Sequence, residues 1–368
     1  MKKRLKQVHY ITLVLLFAVI AGMVLIENEN FVGQALKGPL SIRPAVIPAV
    51  KTPAIATPKP CPAGSVEITQ EDVDNALFQG HGLNFYQGYI INQPGEYCLT
   101  ENIIVDGSRK LFNSYRPGIP YGVLIIIASS DVNLNLNGYS IINTAGSQQL
   151  QGKEGQMWAI YARGDSNNPS GDVTVRNGLI RGFDGAFSTS AEGSLLPGIN
   201  QVVVEDVVFE ANGEAILLSL NEQEVLIQNN RISNGYRGIY IYERGITTFG
   251  EMMIRNNQIR VSDQGLMITA TTPNKVRILN NEIRRDLQRK SINRVTHALI
   301  LSGGRSTGIV DAEIEENILA DFQTGINAIN FVTAGARNNR GCGLDLPIDA
   351  RYPARIGDIN NNWNAQNC

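Results

Sequence analysis

A pattern of eight residues recurs along the chain and constrains its fold more than any other feature. Each copy alternates apolar and polar residues around a central polar pair that is often Asn-Asn. Six copies lie at residues 173–180, 202–209, 225–232, 252–259, 276–283 and 312–319, with a looser copy at 132–139. Self-similarity on this scale is typical of a solenoid, in which stacked units share one interior.

The spacing of the copies defines a basal period. We take the first residue of each central pair as the anchor of its unit: Asn137, Asn177, Asp206, Asn229, Asn256, Asn280 and Glu316. Successive anchors are 40, 29, 23, 27, 24 and 36 residues apart. The short steps give a period of 23 to 27 residues, and we interpret the long steps as that period plus an insertion.

A small residue stands nine positions after the anchor in five units: Ala186, Ala215, Gly238, Gly265 and Gly325. A second apolar alternation follows this residue, so it predicts the start of another strand. Because the offset is constant while the units differ in length, the insertions must lie elsewhere in each unit.

Each unit therefore contains strands with one apolar face, which no unit can bury alone. Stacking the units makes a continuous apolar column. Asparagine tolerates the left-handed conformation that a sharp corner between strands requires. We predict that Asn229, Asn256 and Asn280 stack along the axis as a ladder of side-chain hydrogen bonds and are structural.

The repeats resemble those of the pectin lyase-like superfamily, over about residues 90–339. The sequences PGEYCLTENI at 94–103 and VNLNLNGYSI at 132–141 are similar to the opening of many exported bacterial β-helix proteins. Asn135 and Tyr139 stand where that opening usually has Asp and His. The resemblance implies an all-β fold, a single-stranded right-handed parallel β-helix, but not a particular activity.

The two ends of the solenoid are predicted to be capped. Residues 69–72 (Thr-Gln-Glu-Asp) resemble a capping box ahead of a short amphipathic helix that would cover the first coil. We assign residues 63–100 to an N-terminal cap, 101–340 to the β-helix and 341–368 to a C-terminal cap.

The N-terminal segment predicts export. Residues 1–9 are basic, and residues 10–26 are almost wholly apolar and just long enough to span a bilayer as a helix. They form either a membrane anchor or a cleaved signal peptide. Residues 27–62 read as a linker, semi-rigid where prolines are dense. In both cases the bulk of the chain is expected to be periplasmic or extracellular.

Four cysteines fit an exported domain. Of the three possible pairings we favour Cys61–Cys98 and Cys342–Cys368, one at each end, although free thiols are the alternative. Hydrophobic residues make up 43% of the chain and the formal net charge is −2. The chain therefore offers no broad basic surface for nucleic acid, and we do not expect that partner.

In the superfamily that the repeats resemble, ligands commonly lie on the outer face of the strand that begins at the small residue. Alternation places Tyr240 and Tyr242 on that face, together with Tyr161, where aromatic rings could stack on sugars. Exposed tyrosines are also common in strands without any function. The face lacks the aspartate cluster that calcium or polygalacturonase chemistry would need, so we predict neither a metal nor a cofactor.

A basic insertion precedes the strand at Ala298. It spans residues 284–297 and contains one acid. Arg285 and Arg294 are candidates for binding uronate or sulfate groups, and Lys290, Arg289 and His297 are candidates for catalysis. A solvated basic loop without function is the simpler interpretation.

Three hypotheses follow. The first is an exported, membrane-anchored β-helix that binds polysaccharide, in particular acidic polysaccharide, or another envelope component on its outer strands. The second is a polysaccharide lyase or uronan epimerase that uses the basic insertion. The third is a structural or adhesive spacer.

Overall fold

The residues at the predicted anchors have a left-handed backbone conformation and form corners between strands. In the computed structural model, every anchor from Asn137 to Glu316 has φ between 50° and 59°. Asn338 and Asn360 have the same conformation and mark two further corners. Asparagine adopts this region at little steric penalty, which explains its abundance at these corners.

The structure describes residues 57–79, 86–106, 122–147, 149–151, 157–162, 171–189, 199, 201–220, 224–243, 250–270, 274–289, 291, 295–303, 310–330, 332–351 and 354–364. These described elements belong to one compact unit, residues 47–368. The predicted anchor or signal segment 10–26 lies outside them. The described residues contain no helix long and apolar enough to cross a membrane.

The described residues form 26 strands, and every pairing between them is parallel. The strands fall into three ladders, which we call faces. Face 1 precedes the corner, face 2 follows it, and face 3 begins near the small residue. This arrangement is a parallel β-helix; right-handed winding remains a prediction.

Face 1 holds the strands Val66–Ile68, Gly95–Leu99, Val132–Asn135, Glu224–Gln228, Glu251–Arg255, Asn274–Leu279, Val310–Glu315, Val332–Arg337 and Arg355–Ile359. Face 2 holds Ile103–Val105, Ser140–Asn143, Glu282–Arg285, Ile318–Ala320 and Arg340–Cys342. Face 3 holds Tyr86–Ile91, Gly122–Ile127, Trp158–Ala162, Gly185–Ser188, Glu214–Leu220, His297–Ser302, Thr324–Ile329 and Leu346–Ala350.

Four longer strands continue through a corner. Asp172–Arg181 and Gln201–Glu210 run from face 1 into face 2, and Arg231–Glu243 and Gln258–Thr269 run from face 2 into face 3. Pairing also continues beyond residue 340, through Leu346–Ala350 and Arg355–Ile359, into the segment assigned to the C-terminal cap.

The predicted apolar column is confirmed. Register places one buried side chain above another from coil to coil, since successive strands pair residue for residue. On face 1 one such row is formed by Leu134, Val175, Val204, Ile227, Ile254, Ile278, Ile314 and Ala336. This shared interior stabilises units that could not fold alone.

The asparagine ladder differs from the prediction by one residue. Asn280 does donate to Asn256 at 2.9 Å on the outside of the corner. The continuous ladder, however, is formed by the residue after the anchor and is buried as far as Asn339: Asn230, Asn257, Asn281, Asn317, Asn339 and Asn361. The anchor's left-handed backbone directs the next side chain inward, where backbone groups of the neighbouring coil need partners.

The N-terminal cap follows the predicted chemistry. A helix spans Gln70–Gln79. Thr69 and Asp72 cap it reciprocally: the Thr69 amide donates to the Asp72 carboxylate at 2.8 Å, and the Asp72 amide donates to Thr69 Oγ1 at 3.2 Å. A single turn of 3-10 helix, Gln149–Gln151, is the other helical element described.

The predicted disulfide Cys61–Cys98 is present and joins the end of the linker to the first coils. Cys342 is also disulfide-bonded. Its predicted partner, Cys368, lies outside the described residues.

Candidate functional site

The outer surface of face 3 consists of rows of side chains set by strand register. One row contains the residue just before the small residue of each coil: Glu214, Arg237, Gln264, His297 and Thr324. A second row contains Tyr161, Ser188, Leu217, Tyr240, Met267, Ile300, Asn327 and Asp349. A third contains Ser219, Tyr242, Thr269 and Ser302.

Tyr240 and Tyr242 form the aromatic centre of this surface. Both belong to one strand and are partly exposed, because alternation turns them away from the core on either side of buried Ile241. Their ring centroids are 5.2 Å apart and the ring planes are inclined by 37°. The two rings thus form an adjoining apolar platform with hydroxyl groups at its edge.

A cation borders the platform. The Arg237 guanidinium carbon lies 5.9 Å from the Tyr240 ring centroid, within cation–π range. The same guanidinium donates to Glu214 on the preceding coil at 2.5 Å, so much of its charge is compensated. This ion pair holds the arginine beside the ring.

His297 lies two coils further along the row of Arg237, or about 10 Å at the usual strand spacing. Burial lowers the pKa of His297 below its ordinary value of 6.5; Asp349 opposes this shift and Arg351 adds to it. The ring Nδ1 lies 3.5 Å from Asn327 Nδ2 on the next coil. The imidazole is therefore mainly neutral at neutral pH.

Several polar atoms on this face have no hydrogen-bond partner in the described structure. They include Gln264 Oε1, Thr269 Oγ1, Asn327 Oδ1 and Arg237 Nε. Asn327 is only 4% exposed, so its carbonyl is both buried and unsatisfied. Buried polar groups normally bind a partner, which in folded proteins is often an ordered water.

Other predicted members of the second row are covered rather than open. Tyr161 is 5% exposed and packs with Val123, Ile126 and Trp158 in a small apolar cluster. It lies three coils from Tyr240, about 14 Å away, and does not join the tyrosine platform.

The basic insertion divides between two faces. Arg284 and Arg285 end a face-2 strand, while His297 begins a face-3 strand. Arg289 lies between them and its guanidinium is 3.7 Å from the carboxylate of buried Asp286. Lys290 and Arg294 lie outside the described residues, so their proposed roles stay predictions.

Glu214, Arg237 and Gln264 were missed by sequence reasoning. A usable signal was present, since each stands immediately before the small residue that opens the strand. Because the small residues are aligned from strand to strand, Glu214, Arg237 and Gln264 are aligned as well and lie beside the outward tyrosines. The repeat pattern does not show in which direction the side chains of Glu214, Arg237 and Gln264 point at the corner.

A family model described as periplasmic copper-binding protein (NosD) matches residues 121–339. No curated protein matches the chain. Among solved structures, the Dettilon tailspike protein is similar with a TM-score of 0.41 and 12% identity; the match covers 74% of this chain. The chain spans 50% of the tailspike chain.

The described residues do not fit a copper site. Copper in proteins takes imidazole, thiolate or thioether ligands. Among the described residues no group of three or more His, Cys, Asp or Glu could hold a metal ion. Cys61, Cys98 and Cys342 are in disulfides, and Met157 and Met252 are buried in the β-helix. Met253 and Met267 are partly exposed but lie on different faces, so they do not form a thioether pair. His297 is the one histidine in the described part of the chain.

Proposed function

The chain belongs to the NosD family, and from this membership we propose that its β-helix lies outside the cytoplasm and binds a polysaccharide on face 3. The ligand is an extended glycan, in particular an acidic one, laid along the rows of outward side chains. The apolar segment 10–26 would attach the protein to the membrane from which the linker extends.

The tyrosine platform carries this proposal. Tyr240 and Tyr242 present adjacent, tilted rings on a rigid ladder, with Arg237 held against one of them. Aromatic rings stack on the apolar faces of sugars, while nearby polar groups bond to sugar hydroxyls. The partly exposed polar side chains of Gln264 and Thr269 supply such groups on the next coil.

Polysaccharide lyase or epimerase activity is the second candidate. The lowered pKa of His297 keeps its imidazole neutral near pH 7, as a base for proton abstraction from a uronate would require. Lys290 and Arg289 are the other catalytic candidates, with Arg285 and Arg294 for carboxylate binding. Measurable unsaturated product from a uronan panel, lost in the double variant Lys290→Gln/Arg289→Gln, would support it.

A binding measurement tests the primary proposal. The chain is titrated with acidic polysaccharides chosen from a glycan array, and the double variant Tyr240→Ala/Tyr242→Ala is compared with it. We expect at least a tenfold loss of affinity, equivalent to about 1.4 kcal/mol. The matched control is Tyr236→Ala, which removes a partly exposed tyrosine at the preceding corner of the same strand.

Retention of full affinity by the double variant would overturn the assignment to face 3. A glycan array without any bound polysaccharide would instead favour a structural or adhesive spacer.

A further inference from the structure

Face 2 carries a separate groove that shares only Arg284 with the basic insertion. It has a volume of about 420 Å³ and lies across three neighbouring coils. Its polar lining consists of Arg231, Ser233, Gln258, Arg260, Glu282 and Arg284. Ile232 and Ile259 also line it, but their side chains are buried in the core beneath it. A groove of this volume is large enough for a small organic ligand.

Three guanidinium groups line the groove against one carboxylate. Arg260 and Arg284 occupy directly paired positions on adjacent strands, an arrangement of like charges that is destabilising by itself. Arg284 is compensated by the groove's own carboxylate, Glu282. Arg260 lies 4.0 Å from Asp286, at the limit of an ion pair.

Arg231 completes the cluster from the preceding coil. It is exposed, and within the described part of the chain it has no ion pair or hydrogen-bonded side-chain partner. Ser233 and Gln258 add neutral hydrogen-bonding groups between the arginines. The groove therefore has an excess of positive charge with planar donors suited to an oxyanion.

Among the residues that the structure describes, face 3 has no comparable excess of positive charge. Its Arg237 is neutralised by Glu214 at 2.5 Å, and His297 is mainly neutral. Between the described residues of these two faces, the excess of positive charge is therefore greater on face 2.

We propose that the groove bounded by Arg231, Arg260 and Arg284 is an oxyanion site that binds the carboxylate or sulfate group of an acidic sugar. The guanidinium groups contact the anion, and Ser233 and Gln258 contact hydroxyls of the sugar. This site lies on a different face from the tyrosine platform and does not depend on it.

Calorimetric titration of the whole chain with a short uronate oligosaccharide and with its methyl ester tests the site. The two probes share their rings and differ in charge. We expect the acid to bind and the ester to bind at least tenfold more weakly, because charge-assisted hydrogen bonds are lost. Inorganic sulfate should compete with the acid.

Variants locate the effect. Arg260→Gln should weaken binding of the acid by roughly tenfold. Arg337→Gln, a similarly exposed arginine on face 1, should leave it unchanged. Glu282→Gln removes the groove's one carboxylate and should tighten binding severalfold, which damage to the fold could not do.

Equal affinity for acid and ester, or unchanged affinity in Arg260→Gln, would overturn the proposal. The variant Tyr240→Ala/Tyr242→Ala separates the two sites. Its failure to alter polysaccharide binding counts against face 3 alone, while uronate binding in the groove should persist in it.

Discussion

Asn257 donates from its side-chain amide to Oδ1 of Asn281 at 2.9 Å, and its backbone amide donates to the same oxygen at 3.0 Å. Asn281 in turn donates to Asn317 on the following coil at 3.0 Å and to the Ile254 carbonyl at 2.9 Å. All three asparagines are fully buried. The buried asparagine of each coil therefore supplies hydrogen bonds to the corner of the adjacent coil. The alignment of successive coils thus depends on asparagine at this one position of the repeat.

Replacement of Asn281 by alanine should destabilise the β-helix. It removes four buried hydrogen bonds and leaves backbone groups of adjacent coils without partners. We expect the free energy of unfolding to fall by roughly 2–4 kcal/mol. Urea denaturation followed by circular dichroism measures this.

The matched control is Asn280→Gly, one residue earlier. Asn280 has φ +50° and its side chain donates one hydrogen bond, to Asn256, so glycine should change stability by about 1 kcal/mol or less. Equal effects of the two substitutions would contradict the structural role of the inner ladder.

The small residue at the start of each face-3 strand is needed because neighbouring coils approach its Cα closely. A Cβ on Gly265 would lie 2.2 Å from Ile283 Cγ2 and 2.6 Å from the Ala298 carbonyl oxygen. Gly265→Ala should therefore lower the free energy of unfolding by about 1–3 kcal/mol through overpacking. Gly335→Ala, where a Cβ meets nothing within 4 Å, should be neutral in the same denaturation experiment. A neutral Gly265→Ala would contradict this explanation.

Much of this architecture was predictable because it depends on short-range pattern. The positions of Asn229, Asn256 and Asn280 identified the left-handed corners, and Gly238 and Gly265 identified the start of face 3. Asparagine at a left-handed corner and glycine at a close approach between coils both meet backbone requirements that few other residue types can meet.

The site was less predictable, because it depends on which side chains meet across coils. The sequence places Glu214 and Arg237 23 residues apart, and only strand register shows that they are neighbours. Likewise the groove at Arg231, Arg260 and Arg284 is assembled from three coils. The predicted bond between Asn280 and Asn256 is present, but the inner ladder at Asn281 was not predicted, because the direction of each side chain follows from the exact turn of the corner.

His297 should show pH-dependent behaviour of defined sign. Its folded pKa lies below that of the unfolded state, about 6.5, so the unfolded chain binds the proton more readily. Stability from this group is present above about pH 6.5 and is lost as pH falls toward the folded pKa. The NMR titration midpoint of the imidazole should lie below 6.5 and should rise in Arg351→Gln. A midpoint at or above 6.5 in the native chain would be inconsistent with this.

Copper binding provides an independent check on the site. Since the described residues do not fit a copper centre, His297→Ala and Met267→Leu should leave any copper titration of the full chain unchanged. Competition with a chelator of known affinity measures this. A tenfold or greater loss of copper affinity in either variant would place a ligand on face 3.

Hydroxyl-radical footprinting with and without a bound acidic polysaccharide tests the central claim most directly. We predict that protection by the glycan is strongest at Tyr240 and Tyr242, while partly exposed Tyr236 stays reactive. Unchanged reactivity of both platform tyrosines at saturating glycan would contradict binding on face 3.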